Sequence, residues 1–239
     1  MAGDGFAVHL DLPPGEQGLD AVAALAGHMG EQEGEQGILP LHGIAFFLHL
    51  ITSIQEVLSM NDVLHQLRAR KSVRAYLEKP IAPDDKRAIL EAACAAPTAG
   101  NQQLYTILDI TDQQLKDTLA QTCDHQPFIA QAPLVLIFCA DCQKWYDAFA
   151  AGGCQPRKPG VGDLLLACSD ANIAAQNAVT AAWSLGIGSC YIGDVMEQCE
   201  THRRLLNLPD YVFPAAMVVF GYPTAQQQAR EKPRRRALP

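Results

Sequence analysis

The sequence predicts a layered α/β or α+β domain in which helices cover a sheet built around a few apolar strands. Helical and strand patterns alternate along residues 60–239, and the run at residues 133–140 is apolar enough for a central strand. The composition, with 49% hydrophobic and 18% charged residues, is typical of a protein with one substantial core.

Three helices are predicted from their start and stop signals. Asn61 is a suitable N-cap for a helix that continues through Leu67. Pro83, followed by two aspartates, opens a second helix that ends near residue 95. Residues 164–185 form a long alanine-rich helix with Gly186 as its predicted stop. The small side chains of this last helix predict close packing against another helix.

Four short apolar segments are predicted strands, namely residues 105–110, 133–140, 187–192 and 214–222. The long helix that precedes the third strand is also rich in apolar residues. Polar side chains within it exclude a membrane span: Asp170, Asn172, Gln176 and Asn177.

The formal net charge of −8 comes from the N-terminal segment. Residues 1–59 contain eight acidic residues and neither Lys nor Arg, which leaves 18 acids and 18 bases in residues 60–239. A body of zero net charge argues against a nucleic-acid partner.

Residues 1–59 are interpreted as a segment that precedes the domain. Gly, Glu and Gln runs predict a disordered or linker-like stretch over residues 1–40, and residues 44–58 predict a short apolar helix, which is a candidate interfacial or partner-binding element. The residues before Met60, Gln55-Glu56-Val57, can be encoded by a purine-rich bacterial ribosome-binding sequence. We therefore hypothesise that Met60 is the natural start and that residues 1–59 are a translated leader.

The eight cysteines are scattered without a disulfide framework. Together with the lack of a signal peptide, this predicts reduced thiols and a cytoplasmic protein. Cys139 and Cys142 form a CxxC pair after an apolar run, and we interpret them as two semi-buried thiols at a strand end. No second CxxC or His pair completes a metal site, so no metal is expected. The sequence also contains no recognisable Ser-His-Asp arrangement.

A cationic segment, residues 70–74 (RKSVR), follows the first predicted helix. Three cations and a hydroxyl in five residues suit a phosphate group, although the same residues would also form a solvated helix end. An amide loop, residues 96–103 (APTAGNQQ), combines small and amide side chains with exposed backbone. It suits the edge of a polar heterocycle, although it would also serve as an ordinary helix-to-strand turn. Together the two segments suggest a phosphorylated aromatic cofactor.

Three further segments follow in order: residues 186–193 (GIGSCYIG), residues 220–223 (FGYP) and a basic tail at residues 232–236 (KPRRR). With the cationic segment and the amide loop, they make residues 60–239 resemble the FMN-dependent nitroreductase family. The resemblance implies an α+β fold with a mixed, largely antiparallel central sheet flanked by helices. It also implies an intertwined homodimer with two FMN molecules at the subunit interface.

The resemblance assigns the phosphate end of the cofactor to two parts of the chain. Arg70, Lys71 and Ser72 would bind the phosphate from the cationic segment. Lys232 and Arg235 would complete the phosphate site from the tail, with Arg234 or Arg236 as alternatives to Arg235.

The resemblance assigns the flavin ring to three parts. Arg74 would lie near the N1–C2=O edge, where a cation stabilises the negative charge of the reduced ring. The backbone amides of Ile192 and Gly193 would face N5 and O4. The amide loop would approach the flavin of the partner subunit through Pro97, Thr98, Ala99 and Asn101, while Gln103 would bond near the pyrimidine edge or support the loop.

The implied activity is an NADH- or NADPH-dependent oxidoreductase. Hydride would pass through flavin N5 to nitroaromatic, quinone or flavin acceptors in a ping-pong mechanism, and no side chain is expected to act as nucleophile or general base. Alternatives are reductive dehalogenation or flavin fragmentation on the same fold, and a flavin-binding sensor without turnover. His125, Trp145, Tyr146 and Phe149 are candidate pocket residues, but a structural or packing role is favoured for them.

Overall fold

The computed structural model describes residues 61–236. The chain divides after Met60, and all described residues belong to the second unit, Asn61–Pro239. The proposed leader, residues 1–59, and its short apolar helix at residues 44–58 lie outside the described residues.

Nine α-helices and four strands form the described part of the chain. The helices are α1 (Asp62–Ala69), α2 (Pro83–Cys94), α3 (Gln113–Thr122), α4 (Pro127–Gln131), α5 (Gln143–Ala151), α6 (Val161–Ser184), α7 (Asp194–Glu197), α8 (Cys199–Leu205) and α9 (Ala225–Ala229). The strands are β1 (Tyr105–Asp109), β2 (Leu134–Asp141), β3 (Gly188–Ile192) and β4 (Val212–Gly221).

The four strands form one sheet in the order β1-β2-β4-β3, and every strand pair is antiparallel. A single parallel bridge, between Ser72 and Ser189, adds the cationic segment to the outer side of β3. The predicted helix-flanked and largely antiparallel sheet is therefore confirmed. All eight residues of β2 are buried, as expected for the central strand that its apolar run predicted.

Two cores lie on the two faces of the sheet, because successive side chains of a strand point to opposite faces. Leu136 and Phe138 of β2 pack with α2 and α6, where alanines such as Ala171 and Ala178 allow close approach. Val135 and Ile137 pack with α3, α4 and α7 on the other face. The sheet is thus covered on both sides, which fixes the positions of its edges and corners.

Several predicted boundaries are confirmed by local chemistry. The Asn61 side chain accepts a hydrogen bond from the backbone N–H of Val63 and caps α1. Gly186 has a φ of 74°, and its N–H donates to Trp183 while Ile187 N–H donates to Ala182, the two bonds that close a helix C-terminus.

Other boundaries differ from the prediction. Helix α6 begins at Val161, three residues before the predicted start, because Asp163 accepts a hydrogen bond from the Gly160 N–H at 2.8 Å. The short helices α3, α4, α5, α7, α8 and α9 were not predicted. Within residues 61–236, none of the helices combines the length and the apolarity needed to cross a bilayer.

Candidate functional site

The cationic segment runs alongside β3 in an extended conformation. The Val73 N–H donates to the Ser189 carbonyl at 2.9 Å, and the Val73 side chain is buried. Only glycine fits opposite it, because a Cβ on Gly188 would lie 2.5 Å from Val73 Cγ2. This close approach fixes the segment, and the alternation of an extended chain directs Ser72 and Arg74 away from the side of Val73.

The basic tail returns to the same corner of the sheet. The Lys232 ammonium donates to the carbonyls of Arg68 at 2.6 Å and Leu67 at 3.3 Å, in the last turn of α1. Burial lowers the pKa of Lys232, and the charges of Arg235 and Arg70 lower it further. Three cations from two distant parts of the chain therefore lie close together. Of the tail arginines, Arg235 is the one whose charge acts on Lys232.

Two polar atoms at this corner fit an anionic group. Arg70 Nη1 and Ser189 Oγ are buried and have no hydrogen-bond partner among the described residues. A buried donor without a partner costs about 1–3 kcal/mol. Phosphate oxygens are strong acceptors for a guanidinium and a hydroxyl, so the donor set matches the phosphate of FMN.

Lys71 and Arg230 hold the tail segment against the cationic segment. The Lys71 ammonium donates to the carbonyls of Gln228, at 2.6 Å, and Arg230. The Arg230 guanidinium in turn donates to the Ser72 carbonyl. Lys71, which the resemblance assigned to the phosphate, thus donates to backbone carbonyls in this structure.

Arg74 is exposed at the end of the cationic segment, and its N–H donates to Gln227 Oε1 at 3.3 Å. Burial raises the pKa of the nearby Cys190 thiol, while the Arg74 and Ser72 side chains act in the opposite direction. The guanidinium of Arg74 is therefore close to Cys190 of β3.

The amide loop has a strained backbone. Gly100, Asn101 and Gln103 have φ values of 56°, 55° and 52°, in the left-handed region that non-glycine residues rarely adopt. Each such non-glycine residue costs on the order of 1–3 kcal/mol and persists only where surrounding contacts impose it. Pro97 is exposed, and Thr98 Oγ1 accepts a hydrogen bond from the Gln103 N–H at 3.3 Å.

Asp170 of α6 supplies the contacts that hold the loop. Its carboxylate is 2% exposed and accepts hydrogen bonds from the backbone N–H groups of Ala99 at 3.0 Å and Leu104 at 3.2 Å. The Trp145 indole donates to the Gln102 carbonyl at 2.7 Å. From the sequence, Asp170 was predicted only to keep its helix out of a membrane. Its position on the buried alanine face of this helix, between Ala167 and Ala174, was a signal that it has a polar partner.

The Ile192–Gly193 backbone ends β3 and is open to ligands. Ile192 is buried and pairs with Met217, whereas Gly193 is exposed. A Cβ on Gly193 would meet no atom within 4 Å. A flat ring therefore has room to approach this backbone.

The amide loop and the cationic segment lie at opposite corners of the sheet. The loop precedes β1 at one edge, and the segment lies beside β3 at the other edge. Four strand spacings across, from β1 to the segment outside β3, and six residues along the strands give a separation of about 28 Å. One chain therefore does not bring its two segments together.

A cavity of about 390 Å³ lies beside the amide loop. Its lining includes Trp145, Phe149, Tyr146 and Gln102, with Arg157 paired to Asp163 nearby. Trp145 and Phe149 are 38% and 46% exposed, and their ring centroids lie 5.7 Å apart, so the two rings contact each other as well as the cavity. Tyr146 does pack, edge to face, against Tyr211.

The other residues that the sequence analysis considered are His125 and the pair Cys139 and Cys142, and they belong neither to the cationic corner nor to the amide loop. His125 is exposed, and its Nδ1 lies 2.7 Å from Gln121 Oε1. Cys139 and Cys142 are free, buried thiols at the end of β2, as predicted, and burial raises the pKa of Cys139 to about 12. Among residues 61–236 no cluster of His, Cys, Asp or Glu is arranged to hold a metal ion.

The helix-covered antiparallel sheet thus carries a cationic corner, formed by Arg70, Lys232 and Arg235, whose donors suit a phosphorylated ligand. The profile of the nitroreductase family matches residues 67–222. The chain belongs to the nitroreductase family.

Similar curated proteins extend this result. The chain is 35% identical over 179 residues to an FMN reductase (NAD(P)H) of Bacillus subtilis, covering 73% of this chain and 70% of the relative. It is 32% identical over 165 residues to an oxygen-insensitive NADPH nitroreductase of Salmonella typhimurium, covering 69% and 67%.

Solved structures of similar proteins have the same fold. NfrA2 of Bacillus megaterium superposes with a TM-score of 0.69 at 32% identity, covering 73% of this chain and 71% of that one. The NADPH:FMN oxidoreductase of Vibrio harveyi, complexed with NAD+, superposes with a TM-score of 0.68 at 28% identity, covering 73% of each chain.

Proposed function

We propose that this protein is an NAD(P)H-dependent FMN oxidoreductase that delivers hydride to nitroaromatic, quinone or flavin acceptors in two alternating half-reactions. When bound, FMN supplies the hydride-accepting and hydride-donating atom, N5. The observation that carries the proposal is the cationic corner, where Lys232 and Arg235 lie close to Arg70 and the buried Arg70 Nη1 has no hydrogen-bond partner among residues 61–236.

The oxidoreductase class and its cofactors rest on the family and on the names of the relatives. The chain is an NAD(P)H-dependent oxidoreductase with FMN as cofactor. The acceptors and the alternating mechanism go beyond the family and these names, and they are our proposal. All eight cysteines lack a disulfide partner, which supports a reducing, cytoplasmic location.

The cationic corner would bind the FMN phosphate. Arg70 and Ser72 approach it from the cationic segment, and Lys232 and Arg235 from the tail. Hydrogen bonds to charged groups contribute about 1.5–3 kcal/mol each, so a few of them give a substantial part of the affinity. The carbonyls that hold Lys71 and Lys232 fix the geometry of both segments before the ligand arrives.

The flavin ring would lie against the exposed edge of β3, next to Gly193. Arg74 would provide a cation where the reduced flavin gains negative charge, which favours hydride transfer. The Ile192 and Gly193 amides would orient N5 and O4. The access that Gly193 leaves supports this assignment, because a side chain there would lie where the ring must approach.

A homodimer would complete each site. The amide loop is about 28 Å from the cationic segment of its own chain, so a second copy must supply the loop to a given flavin. Apolar side chains that this partner would cover are exposed on α1 and α6, including Val63, Leu64, Val161 and Leu165. Their exposed fractions range from 51% to 75%, and a partner that covered them would remove this apolar area from water.

The cavity at Trp145 and Phe149 is the proposed acceptor pocket. It adjoins the amide loop and would therefore lie near the partner's flavin in the dimer. Its volume of about 390 Å³ lies within the usual range for small-ligand sites, and its aromatic walls suit nitroaromatic and quinone rings.

Anaerobic stopped-flow reduction tests this function. The FMN-loaded protein should bleach with NADH or NADPH and recolour with a nitroaromatic, a quinone or free flavin. Parallel lines in double-reciprocal plots of initial rate against nicotinamide concentration, at several fixed acceptor concentrations, would support the alternating mechanism. Bound FMN that neither nicotinamide bleaches would favour a flavin-binding sensor, and a chain that does not bind FMN would overturn the proposal. Full FMN occupancy in a protein that light scattering shows to be monomeric would overturn the interface site.

A further inference from the structure

A hydrogen-bonded brace connects the turn after α3 to the segment that follows Gly193. The Gln126 side-chain amide donates to Asp194 Oδ2 at 3.0 Å and to the Cys123 carbonyl at 2.9 Å. Both amide hydrogens are used, so the orientation of this side chain is fixed. The Asp194 carboxylate is thereby held in one position at the start of α7.

Two more contacts secure the same segment. His202 is fully buried, with Nδ1 3.0 Å from the Val195 carbonyl and Nε2 2.9 Å from Thr122 Oγ1. The Gln198 amide donates to the Thr122 carbonyl at 2.9 Å. Helix α7 is therefore tied to α3 at three points within five residues, Asp194, Val195 and Gln198.

The turn that carries Gln126 is strained. Asp124 and His125 have φ values of 57° and 52°, so two consecutive non-glycine residues adopt the left-handed conformation. Such backbone is retained where neighbouring contacts impose it, and it is common at functional sites. Here the strain places Gln126 against Asp194.

The charge of Asp194 acts on its surroundings. The carboxylate is half-buried, and its nearest chain neighbour is the open Gly193 backbone. Consecutive Cα atoms are about 3.8 Å apart, so the carboxylate lies within about 10 Å of the Gly193 amide. Burial, and next the negative Asp194 carboxylate, raise the pKa of the Cys123 thiol to about 12.

We propose that Asp194, held by Gln126, is a positioning residue that fixes a negative charge beside the Ile192–Gly193 backbone and makes the bound flavin harder to reduce. This inference rests on the proposed function, because it takes that backbone as the contact to flavin N5. The reduced ring carries negative charge, so a fixed carboxylate opposes reduction while the Arg74 guanidinium favours it. The balance of the two charges would set the driving force for transfer to the acceptor.

The test compares the full-length protein with Asp194→Asn, which keeps an acceptor oxygen for Gln126 and removes the charge. Dissociation constants for oxidised and reduced FMN are measured anaerobically, together with the midpoint potential of the bound flavin. The ratio of the two constants should shift on the order of tenfold in favour of reduced FMN. For a two-electron couple this shift corresponds to about 30 mV in the positive direction.

Three more variants make the result specific. Glu197→Gln removes an exposed acid from the same helix and should change the ratio less than twofold, because solvent screens its charge. Asp194→Glu should restore the ratio of the unmodified protein. Gln126→Ala keeps the carboxylate but releases it, and should shift the ratio in the direction of Asp194→Asn by a smaller amount.

The outcomes separate this inference from the proposed function. Normal FMN binding with an unchanged ratio in Asp194→Asn would overturn the inference alone. An equal shift in Glu197→Gln would also overturn it, because the effect would then be a general change in net charge. Failure of the unmodified protein to bind FMN would overturn the proposed function and this inference together.

Discussion

Replacing Arg70 with Met should have opposite effects on the free protein and on FMN binding. Arg70 Nη1 is buried without a partner among the described residues, which costs about 1–3 kcal/mol in the free protein. Methionine keeps an apolar stem of similar length and adds no polar atom. The free energy of unfolding without FMN should therefore rise by about 1–3 kcal/mol.

FMN binding should weaken in the same variant. A lost charge-assisted contact of about 1.5–3 kcal/mol raises the Kd about 10- to 150-fold. At an FMN concentration of about 100 times the original Kd, the ligand stabilises the unmodified protein by about 2.7 kcal/mol. With a Kd that is about 100-fold weaker, the same concentration stabilises the variant by only about 0.4 kcal/mol.

Urea unfolding at fixed protein concentration, with and without FMN, measures both effects. Arg87→Met is the matched control, because Arg87 is an exposed arginine paired with Glu91, and its loss should change stability by less than about 0.5 kcal/mol. The reasoning is refuted if Arg70→Met is less stable than the original protein without FMN and still binds FMN with the original Kd.

Three other substitutions test the parts that position the site. Asp170→Ala leaves two loop amides without an acceptor and should cost about 2–4 kcal/mol in urea unfolding, with faster hydrogen exchange in the amide loop. Gly188→Ala places a Cβ 2.5 Å from Val73 and should cost about 1–3 kcal/mol and weaken FMN binding, measured by fluorescence titration. Asp163, bonded to Arg157, has its pKa lowered from 3.8 to about 2, so its stabilising contribution is complete above pH 3.8 and lost as the pH falls to about 2. Unfolding curves of Asp163→Asn and the original protein should therefore differ at neutral pH and converge near pH 2.

Each of these variants has a control nearby. Ser169→Ala, beside Asp170, should change stability by less than about 0.5 kcal/mol, and an equal loss in both would contradict the role of the carboxylate. Gly162→Ala has open space around its Cβ and should be neutral or slightly stabilising, unlike Gly188→Ala. Glu91→Gln, in an exposed pair, should change stability at neutral pH by less than about 0.5 kcal/mol. A pH-independent difference for Asp163→Asn would contradict the titration.

Local chemistry made much of the fold predictable. The apolar run of β2, the Asn61 cap and the Gly186 stop are short-range signals, and the structure confirms each. Helix α3 was not predicted, because its sequence, QQLKDTLAQT, is mostly polar. It buries only a narrow stripe that includes Leu119 and Ala120, which gives a weak helical pattern of apolar residues. The strand order was also not predictable, because it depends on pairings between residues far apart in sequence.

The candidate site was harder to predict than the fold, because more of its contacts join residues that are far apart in sequence. The pattern of residue types in the cationic segment predicted an anion, and the family resemblance connected it to the tail. The role of Asp170 lay outside both kinds of reasoning, since it contacts amides 66 and 71 residues away in sequence. Similarly, the exposure of Trp145 depends on which helix neighbours pack against it, and a local pattern does not specify them.

The cationic corner is built so that its geometry is fixed while its charge is retained. Lys71, Arg230 and Lys232 donate to backbone carbonyls, which orient these side chains without supplying a countercharge. The salt bridges found among residues 61–236 lie elsewhere and join Lys86 to Asp109, Arg87 to Glu91 and Arg157 to Asp163. Because neutral acceptors hold the cations, a bound phosphate would meet an ordered and uncompensated positive field. The corner also joins α1, β3 and the tail, so the ligand would stabilise the two ends of the described chain together.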